Sequence, residues 1–555
     1  MGEFSILIGG QAGDGIKQAG NAIARVFNRL GYWIFVYEDY PSLIRGGHNF
    51  AIVRASSERI SSHRDGIDVL VALNQEALDR HSWRLREGSM VIFDSDMAKA
   101  EGLGIPMSGI VKRRGLPAIL RNAIALGALA AALGISLEVI EDVIKATMVK
   151  RVEENLEAAR EGYGIASGNH WVAKSRRVER VPGGPRPLLT GNEALALGLA
   201  RGGMKLYVAY PMTPTSSLLH YIAAHEDELG AIAIHPESEI AVIGIAQGAA
   251  YAGVRSAVGT SGGGFSLMVE HISLAGQAEI PTVIVLGQRL DPATGAPTYT
   301  KQGNLFFAMF AGHGEFPRAV LAPGDADEAF NLAVEAMNLA WRFQIPVIIL
   351  SDKHLSESTF SFDLEASRAA AAEPPKLWDG MGEYGRYAQT EDGISPLAFP
   401  GEGAVVKANS YEHDEFGITT EDAGLIAKAQ EKRLRKARAL EEYVNGKGMV
   451  SVEGDPDGKI AFLFWGSTKG AAVEVAKRIG ARAIQPLCLM PLPKRELEGR
   501  LEGAERVVGI EGNSMGQFCG WLRCHGIQVD EVVLKYDGRP FAADELERKI
   551  RGLLG

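Results

Sequence analysis

Apolar residues in the first 185 positions alternate between short runs and one longer stretch at helical spacing. Phe4–Ile8, Trp33–Tyr37, Asn49–Arg54, Val69–Leu73 and Met90–Phe93 predict strands, and Ile16–Leu30 predicts an amphipathic helix. The loop Gly9–Gly15 joins the first strand to that helix. Such a β-loop-α rhythm implies a doubly wound sheet. The alanine-rich segment Leu116–Leu137, broken by Arg121 and Asn122, reads as a pair of buried helices rather than a membrane span. A basic link with glycine and proline, Ser175–Arg186, then leads into a second unit.

In that unit the strand candidates Leu206–Ala209, Ala231–His235, Arg255–Gly259, Thr282–Leu286 and Val347–Ser351 are continuous apolar runs. Parallel strands covered on both faces have this character. Residues 360–457 are less regular and contain a charged helix, Ala427–Val444, whose basic run Lys432–Arg438 reads as a solvated face. From Lys459 the pattern returns to strand and helix, with strands at Lys459–Phe464 and Arg506–Ile510. The expected fold class is α/β, with three doubly wound, mostly parallel sheet domains. The expected bounds are 1–185, 188–359 and 458–555, with 360–457 as a connecting segment.

A chain of 555 residues accommodates three or four domains. The net charge of −10 argues against a general nucleic-acid or anionic-membrane binder. The N-terminus runs straight into a strand pattern and does not read as a signal peptide. Only Cys488, Cys519 and Cys524 are present, which fits a reducing, cytoplasmic setting and falls one thiolate short of a four-cysteine iron–sulfur site. No metal site is expected on this chain.

Candidate chemistry concentrates between Tyr210 and Gly303, where each motif stands at the end of a predicted parallel strand. Ligands bind at that rim in open α/β sheets. Pro211 and Pro214 restrict the backbone around Thr213, so its hydroxyl is a candidate ligand contact. Thr215, Ser216 or Ser217 is expected to cap the next helix. Glu237 and Glu239 begin a helix of small and apolar residues, and a carboxylate at the mouth of a buried helix needs a specific partner. Glu239 is the inner of the two. Arg289 comes after a buried strand and suits a substrate carboxylate, with Thr294 and Thr298 alongside; an ion pair with Asp291 is the competing reading. Elsewhere, Gly9–Gly15 with Glu38, Asp39 and the loop Arg45–His48 suits either a nucleotide phosphate or a merely tight turn.

Five of these segments in order resemble the 2-oxoacid:ferredoxin oxidoreductase family, in its form with γ and α portions fused. Gly9–Gly15 with Arg45-Gly46-Gly47 is similar to the start of the γ domain. Tyr210-Pro211-Met212-Thr213-Pro214-Thr215 resembles the family's Tyr-Pro-Ile-Thr-Pro-Ser signature. Arg289 with Thr294–Thr298 resembles its substrate loop, although Leu290-Asp291 and Thr300 stand where the family often has Gly-Gly and a second arginine. Asn409–Gly417 resembles the connecting segment; Gly466-Ser467-Thr468 and Glu511-Gly512-Asn513 resemble the final domain.

The resemblance implies a γ domain, a pyrimidine-binding-type domain and a transketolase C-terminal-like domain. It also implies oxidation of 2-oxoglutarate or pyruvate with coenzyme A to acyl-CoA, CO2 and reduced ferredoxin, in either direction. Thiamine diphosphate, Mg2+ and a [4Fe-4S] cluster are expected mainly on a partner β subunit. Glu239 is implied to bond the aminopyrimidine, with Tyr210 and Pro211 beside it. Arg289, Thr298 and Thr294 are implied to hold the substrate, and Thr213 to lie near the reacting carbonyl or the CoA thiol. Alternatives are an indolepyruvate or branched-chain 2-oxoacid enzyme and, more remotely, a dinucleotide-binding scaffold.

Overall fold

The computed structural model describes residues 2–42, 46–148, 150–174, 176–367, 371–401 and 403–555. Arg45 of the first glycine-rich segment and Ser175 of the basic link lie outside the described residues. The chain forms two units. One comprises Met1–Leu188, Glu357–Phe362 and Ala542–Gly555; the other comprises Leu189–Ser356 and Asp363–Phe541.

In the first unit, neighbouring strands run in the order Leu103–Ile105, Leu85–Asp94, Ile67–Ala72, Glu3–Gln11, His48–Ser56, Trp33–Asp39 and Thr359–Ser361. The pairs up to Glu3–Gln11 are parallel and those beyond it antiparallel. This sheet is therefore mixed, parallel on one side of Glu3–Gln11 and antiparallel on the other, within the expected α/β class. The connection from Asp39 to His48 is too short for a crossover helix, which makes those two strands antiparallel. The expected pair of buried helices is one fully buried helix, Arg121–Leu133, followed by Leu137–Thr147. Gly127 and Gly162 let it press against helix Val152–Ser167, because a Cβ at either would strike the other helix's backbone.

The glycine loop is closed on itself. Asp14 accepts the Gln11 N–H at 2.9 Å and is held by Arg121 at 2.6 Å. The loop's own carboxylate thus takes a backbone N–H and a guanidinium of the kind a phosphate would use, which supports the tight-turn reading. Glu38 pairs with Lys17 at 3.1 Å, and Asp39 accepts the Tyr37 hydroxyl.

The second unit holds two sheets. The larger runs Cys488–Met490, Ala319–Leu321, Pro346–Asp352, Thr282–Gln288, Ser256–Ser261, Leu206–Ala209, Ile232–Ile234, and only its first strand is antiparallel. Register brings the carboxyl ends level, with Gly259 beside Ala209, Ser261 beside Gly287 and Gln288 beside Asp352. The chain leaves Leu206–Ala209 for Ile232–Ile234 on one side, then crosses to Ser256–Ser261 on the other. The crevice between those strand ends is a topological switch point. The smaller sheet runs Val450–Gly454, Arg482–Pro486, Ile460–Phe464, Arg506–Glu511, Glu531–Leu534, with only its first strand antiparallel.

Helix Ala423–Gly446 contradicts the solvated-face reading of the basic run, because Lys432, Arg433 and Lys436 are buried. Glu279, also buried, accepts Lys432 Nζ at 2.6 and 2.8 Å and Lys436 Nζ at 2.6 Å. Arg386 donates to the Glu279 carbonyl at 2.6 Å. Arg433 reaches Glu412 at 2.9 Å. One carboxylate thus faces two ammonium groups and a guanidinium. Burial outweighs the attraction of Glu279 and pulls Lys436 down to about 7, while the cations hold Glu279 well below the usual carboxylate range.

Removing the sole anion should cost far more than removing one surplus cation. Glu279→Gln is expected to lose about 3–5 kcal/mol in urea unfolding, against ~1 kcal/mol or less for Lys436→Met. Folded Lys436 titrates near 7, whereas an unfolded lysine titrates near ~10.4. Its unfavourable contribution is therefore greatest below pH 7 and is relieved as pH rises through that window. The Met variant should lose this part of the pH slope. Equal losses in the two variants would refute the charge count.

Candidate active site

The site is built at the level carboxyl ends of the larger sheet. After Leu206–Ala209 the chain turns through Tyr210–Thr215 into helix Ser216–Ala224. Pro214 and Thr215 pack on Gly287 of the adjoining region, where a Cβ would lie 2.7 Å from Thr215 Cγ2 and 2.9 Å from Pro214 Cγ. The expected side-chain cap is not made. Thr215 instead donates its hydroxyl to the Met212 carbonyl at 2.9 Å, while Asn192 donates to the Pro214 carbonyl at 2.8 Å and to Ser217 at 2.7 Å. These bonds fix the turn and leave Thr213 half-buried within it. Tyr210 is exposed and meets the His235 ring edge-on at 5.6 Å; Pro211 is half-buried.

The two glutamates part company. Glu237 is exposed, whereas Glu239 is 5% exposed at the first turn of helix Glu239–Tyr251. Ser238 caps that helix, accepting the Ala241 N–H. Glu239 Oε1 is buried with no hydrogen-bond partner among the described residues, as are Ser261 Oγ and Thr298 Oγ1. Burying such acceptors unpaired costs about 1–3 kcal/mol each. The helix Gly262–Gln277 begins directly beneath. A Cβ at Gly264 would lie 2.5 Å from Glu239 Oε1 and would also strike Thr260 Oγ1, whereas one at Gly263 would meet open space. Gln247 clasps His271, donating to its carbonyl at 2.7 Å and meeting its ring nitrogen at 3.0 Å, which locks the two helices together.

Arg289, next after strand Thr282–Gln288, donates to the Thr213 carbonyl at 3.0 Å. The structure thus joins two of the expected site residues. Burial pulls its guanidinium below the usual value, and no carboxylate among the described residues lies within ion-pair reach. Asp291 is engaged elsewhere, with Lys301 at 2.6 Å and Asn304 at 2.9 Å. Along the Arg289–Gly303 loop, Thr298 is buried but Thr294 is exposed at the tip. No direct hydrogen bond or ion pair joins Glu239 and Arg289 among the described residues; they follow strands Ile232–Ile234 and Thr282–Gln288, with two strands of the sheet between them.

Sequence reading missed the contacts that hold this loop. Gln288 accepts the Asn304 N–H at 3.0 Å. Gln302 exchanges bonds of 2.7 Å with Gly512 and donates to the Trp465 carbonyl at 2.8 Å. Buried Asp352 accepts Ser467 at 2.5 Å and the Leu355 N–H at 3.0 Å; burial raises its carboxyl despite these donors. Thr300, in the second-arginine position, bonds to the same Asp352. The motifs around Ser467 and Gly512 therefore brace the Arg289 loop. Gln288, a polar residue closing the apolar run Thr282–Gly287, was the available signal.

Comparison with known proteins bears on the same elements. Residues 198–431 match a family model described as pyruvate flavodoxin/ferredoxin oxidoreductase, thiamine-diphosphate-binding, and residues 5–165 one described as pyruvate ferredoxin/flavodoxin oxidoreductase. The 2-oxoacid:ferredoxin oxidoreductase 2 subunit alpha of Aeropyrum pernix is 32% identical, over 100% of this chain and 98% of that protein. The 2-oxoglutarate oxidoreductase subunit KorA of Mycobacterium tuberculosis is 28% identical, over 99% of this chain and 91% of its own. Among solved structures, the 2-oxoglutarate:ferredoxin oxidoreductase of Magnetococcus marinus, with 2-oxoglutarate, coenzyme A and succinyl-CoA bound, superposes with a TM-score of 0.92 at 31% identity, covering 100% of both chains.

Gly264→Ala tests the carboxylate's seat. In a helix interior this change ordinarily gains about 1 kcal/mol. Here the new methyl displaces Glu239, so a loss of about 1–3 kcal/mol is expected in urea unfolding. A gain would show that Glu239 does not sit against Gly264.

Proposed function

This chain belongs to the 2-oxoacid:ferredoxin oxidoreductase family, and we propose that it is the α subunit, working with a β subunit to oxidise a 2-oxoacid with coenzyme A and reduce ferredoxin. The observation that carries the reading is the buried Glu239 Oε1 with no hydrogen-bond partner among the described residues. Such an acceptor fits a ring N–H of the aminopyrimidine of thiamine diphosphate, and Gly263 leaves room beside it. When bound, this cofactor supplies the electron sink for decarboxylation.

By accepting that ring N–H, Glu239 would orient the ring and favour the protonated form of the nitrogen against it. Arg289, half-buried and without a carboxylate of its own, grips the substrate carboxylate through its remaining N–H groups. Its bond to the Thr213 carbonyl fixes the guanidinium relative to the Tyr210–Thr215 turn. Buried Thr298 Oγ1 adds a hydroxyl to the same pocket, whereas Thr294 serves only if the loop tip folds inward. The 2-oxoglutarate bound in the Magnetococcus marinus enzyme makes that acid the first to test.

We assign the cofactor's diphosphate and magnesium, and the iron–sulfur cluster, to the β subunit. Among the described residues no group of three or more His, Cys, Asp and Glu side chains could hold a metal ion, and Cys488 and Cys519 are buried free thiols. No described helix is long and apolar enough to cross a membrane. Ile245 on the Glu239 helix and Leu267 on the Gly262 helix are exposed, at 39% and 49%. Apolar side chains displayed beside a half-site suit the partner's docking face.

Co-expressed with its β subunit and supplied with thiamine diphosphate and coenzyme A, the chain should reduce ferredoxin or a viologen in a 2-oxoacid-dependent way. No reduction with 2-oxoglutarate, pyruvate, indolepyruvate or branched-chain oxoacids would end the proposal. Glu239→Gln should lower kcat about 100-fold or more. Arg289→Ala should raise KM about 10–100-fold while sparing kcat. Ile245→Asp should abolish co-purification of the β subunit without changing the far-ultraviolet circular dichroism of this chain; an intact complex would move the interface elsewhere.

A further inference from the structure

A cavity of about 420 Å³ lies away from the strand-end rim, between residues 315–318, the helix Ala423–Gly446 and residues 490–494 of the second unit. Its apolar walls include Phe316, Leu440, Leu492 and Trp521. Cavities of this volume suit small organic molecules. The polar group that singles it out is Arg318, which is 6% exposed and lines the cavity. Its guanidinium stacks over Phe316 at 4.4 Å and gives one N–H to the Ala311 carbonyl. No carboxylate among the described residues lies within ion-pair reach of it. Glu315 and Glu441 also line the cavity, but both are exposed and neither pairs with Arg318.

A cation buried without a counter-charge is costly. Burial alone pulls Arg318 down to about 10. Three further cations line it: Arg433, paired with Glu412 at 2.9 Å; Arg438, exposed and without an ion pair among the described residues; and Lys494, 3.6 Å from Glu498. The charge imbalance defines the missing partner as an anion, and the walls define its body as apolar.

We infer that this cavity is a second ligand site, which takes an apolar organic monoanion such as an aryl- or branched-alkyl carboxylate, its carboxylate on Arg318 and its body against Phe316 and Trp521. The site is separate from the substrate pocket around Arg289. It does not depend on the proposed catalytic reading.

The test titrates 4-phenylbutyrate, with the neutral 4-phenylbutanamide as control, into the full chain and into its complex with the β subunit, by calorimetry and tryptophan fluorescence. The expected result is saturable one-site binding in both preparations, with the amide weaker by about tenfold or more. Arg318→Met should weaken the acid about tenfold, with Arg318→Lys restoring part of the loss. Leu440→Trp should abolish binding by filling the cavity. Arg289→Ala should leave it unchanged. The inference is overturned by any of these results: no saturable binding of the acid, equal affinity for the amide, undiminished binding in the Leu440→Trp protein, or loss of binding in Arg289→Ala. Disappearance of the site in the αβ complex would also overturn it, by showing the cavity to be a protein interface.

Discussion

An unpartnered carboxylate oxygen, held out of water, is the constraint to which the second unit is fitted. Glu239 Oε1 lies against Gly264, and only a glycine there leaves room for it. The helix that begins at Gly262 must therefore carry glycine at position 264. The helix carrying Glu239 is locked to it by Gln247 and His271. The acceptor costs stability in the isolated chain. A protein that keeps such a group has stored specificity for a ligand that supplies the missing donor.

Charge is handled in opposite ways at three buried places. Around Glu279 the cations outnumber the anion, and the excess is absorbed by the lowered proton affinity of Lys436. This cluster fastens the connecting helix to the sheet, so its role is structural. Arg289, half-buried, and Arg318, buried, instead have no carboxylate within ion-pair reach among the described residues. An arginine cannot discard its proton as a lysine can. Its imbalance is relieved only by an anion from outside, which is the physical ground on which both guanidinium groups are proposed to meet ligands.

The rim was largely legible in the sequence because parallel strands that are covered on both faces appear as continuous apolar runs, and the residues directly after each run must stand at one edge. Tyr210–Thr215, Glu239, Ser261–Gly264 and Arg289 all end there. The braces were not legible. Gln302, Gly512, Asp352 and Ser467 lie more than a hundred residues apart in several of their pairings, and nothing local ties one to another. The direction of individual strands in the first unit was not legible for a related reason, since apolar runs do not carry it.

The amino-acid order by itself determined which segments are strands and helices, and that hydroxyls, an acid and a guanidinium follow directly after apolar runs of the second unit. Those properties come from the spacing of apolar residues, which acts over a few positions. Only the tertiary structure decided that Glu239 rather than Glu237 is buried, that Thr298 faces inward while Thr294 does not, and that Lys432 and Lys436 are interior. Burial and ion pairing depend on which distant surface arrives against a side chain, and that is a property of packing rather than of local pattern.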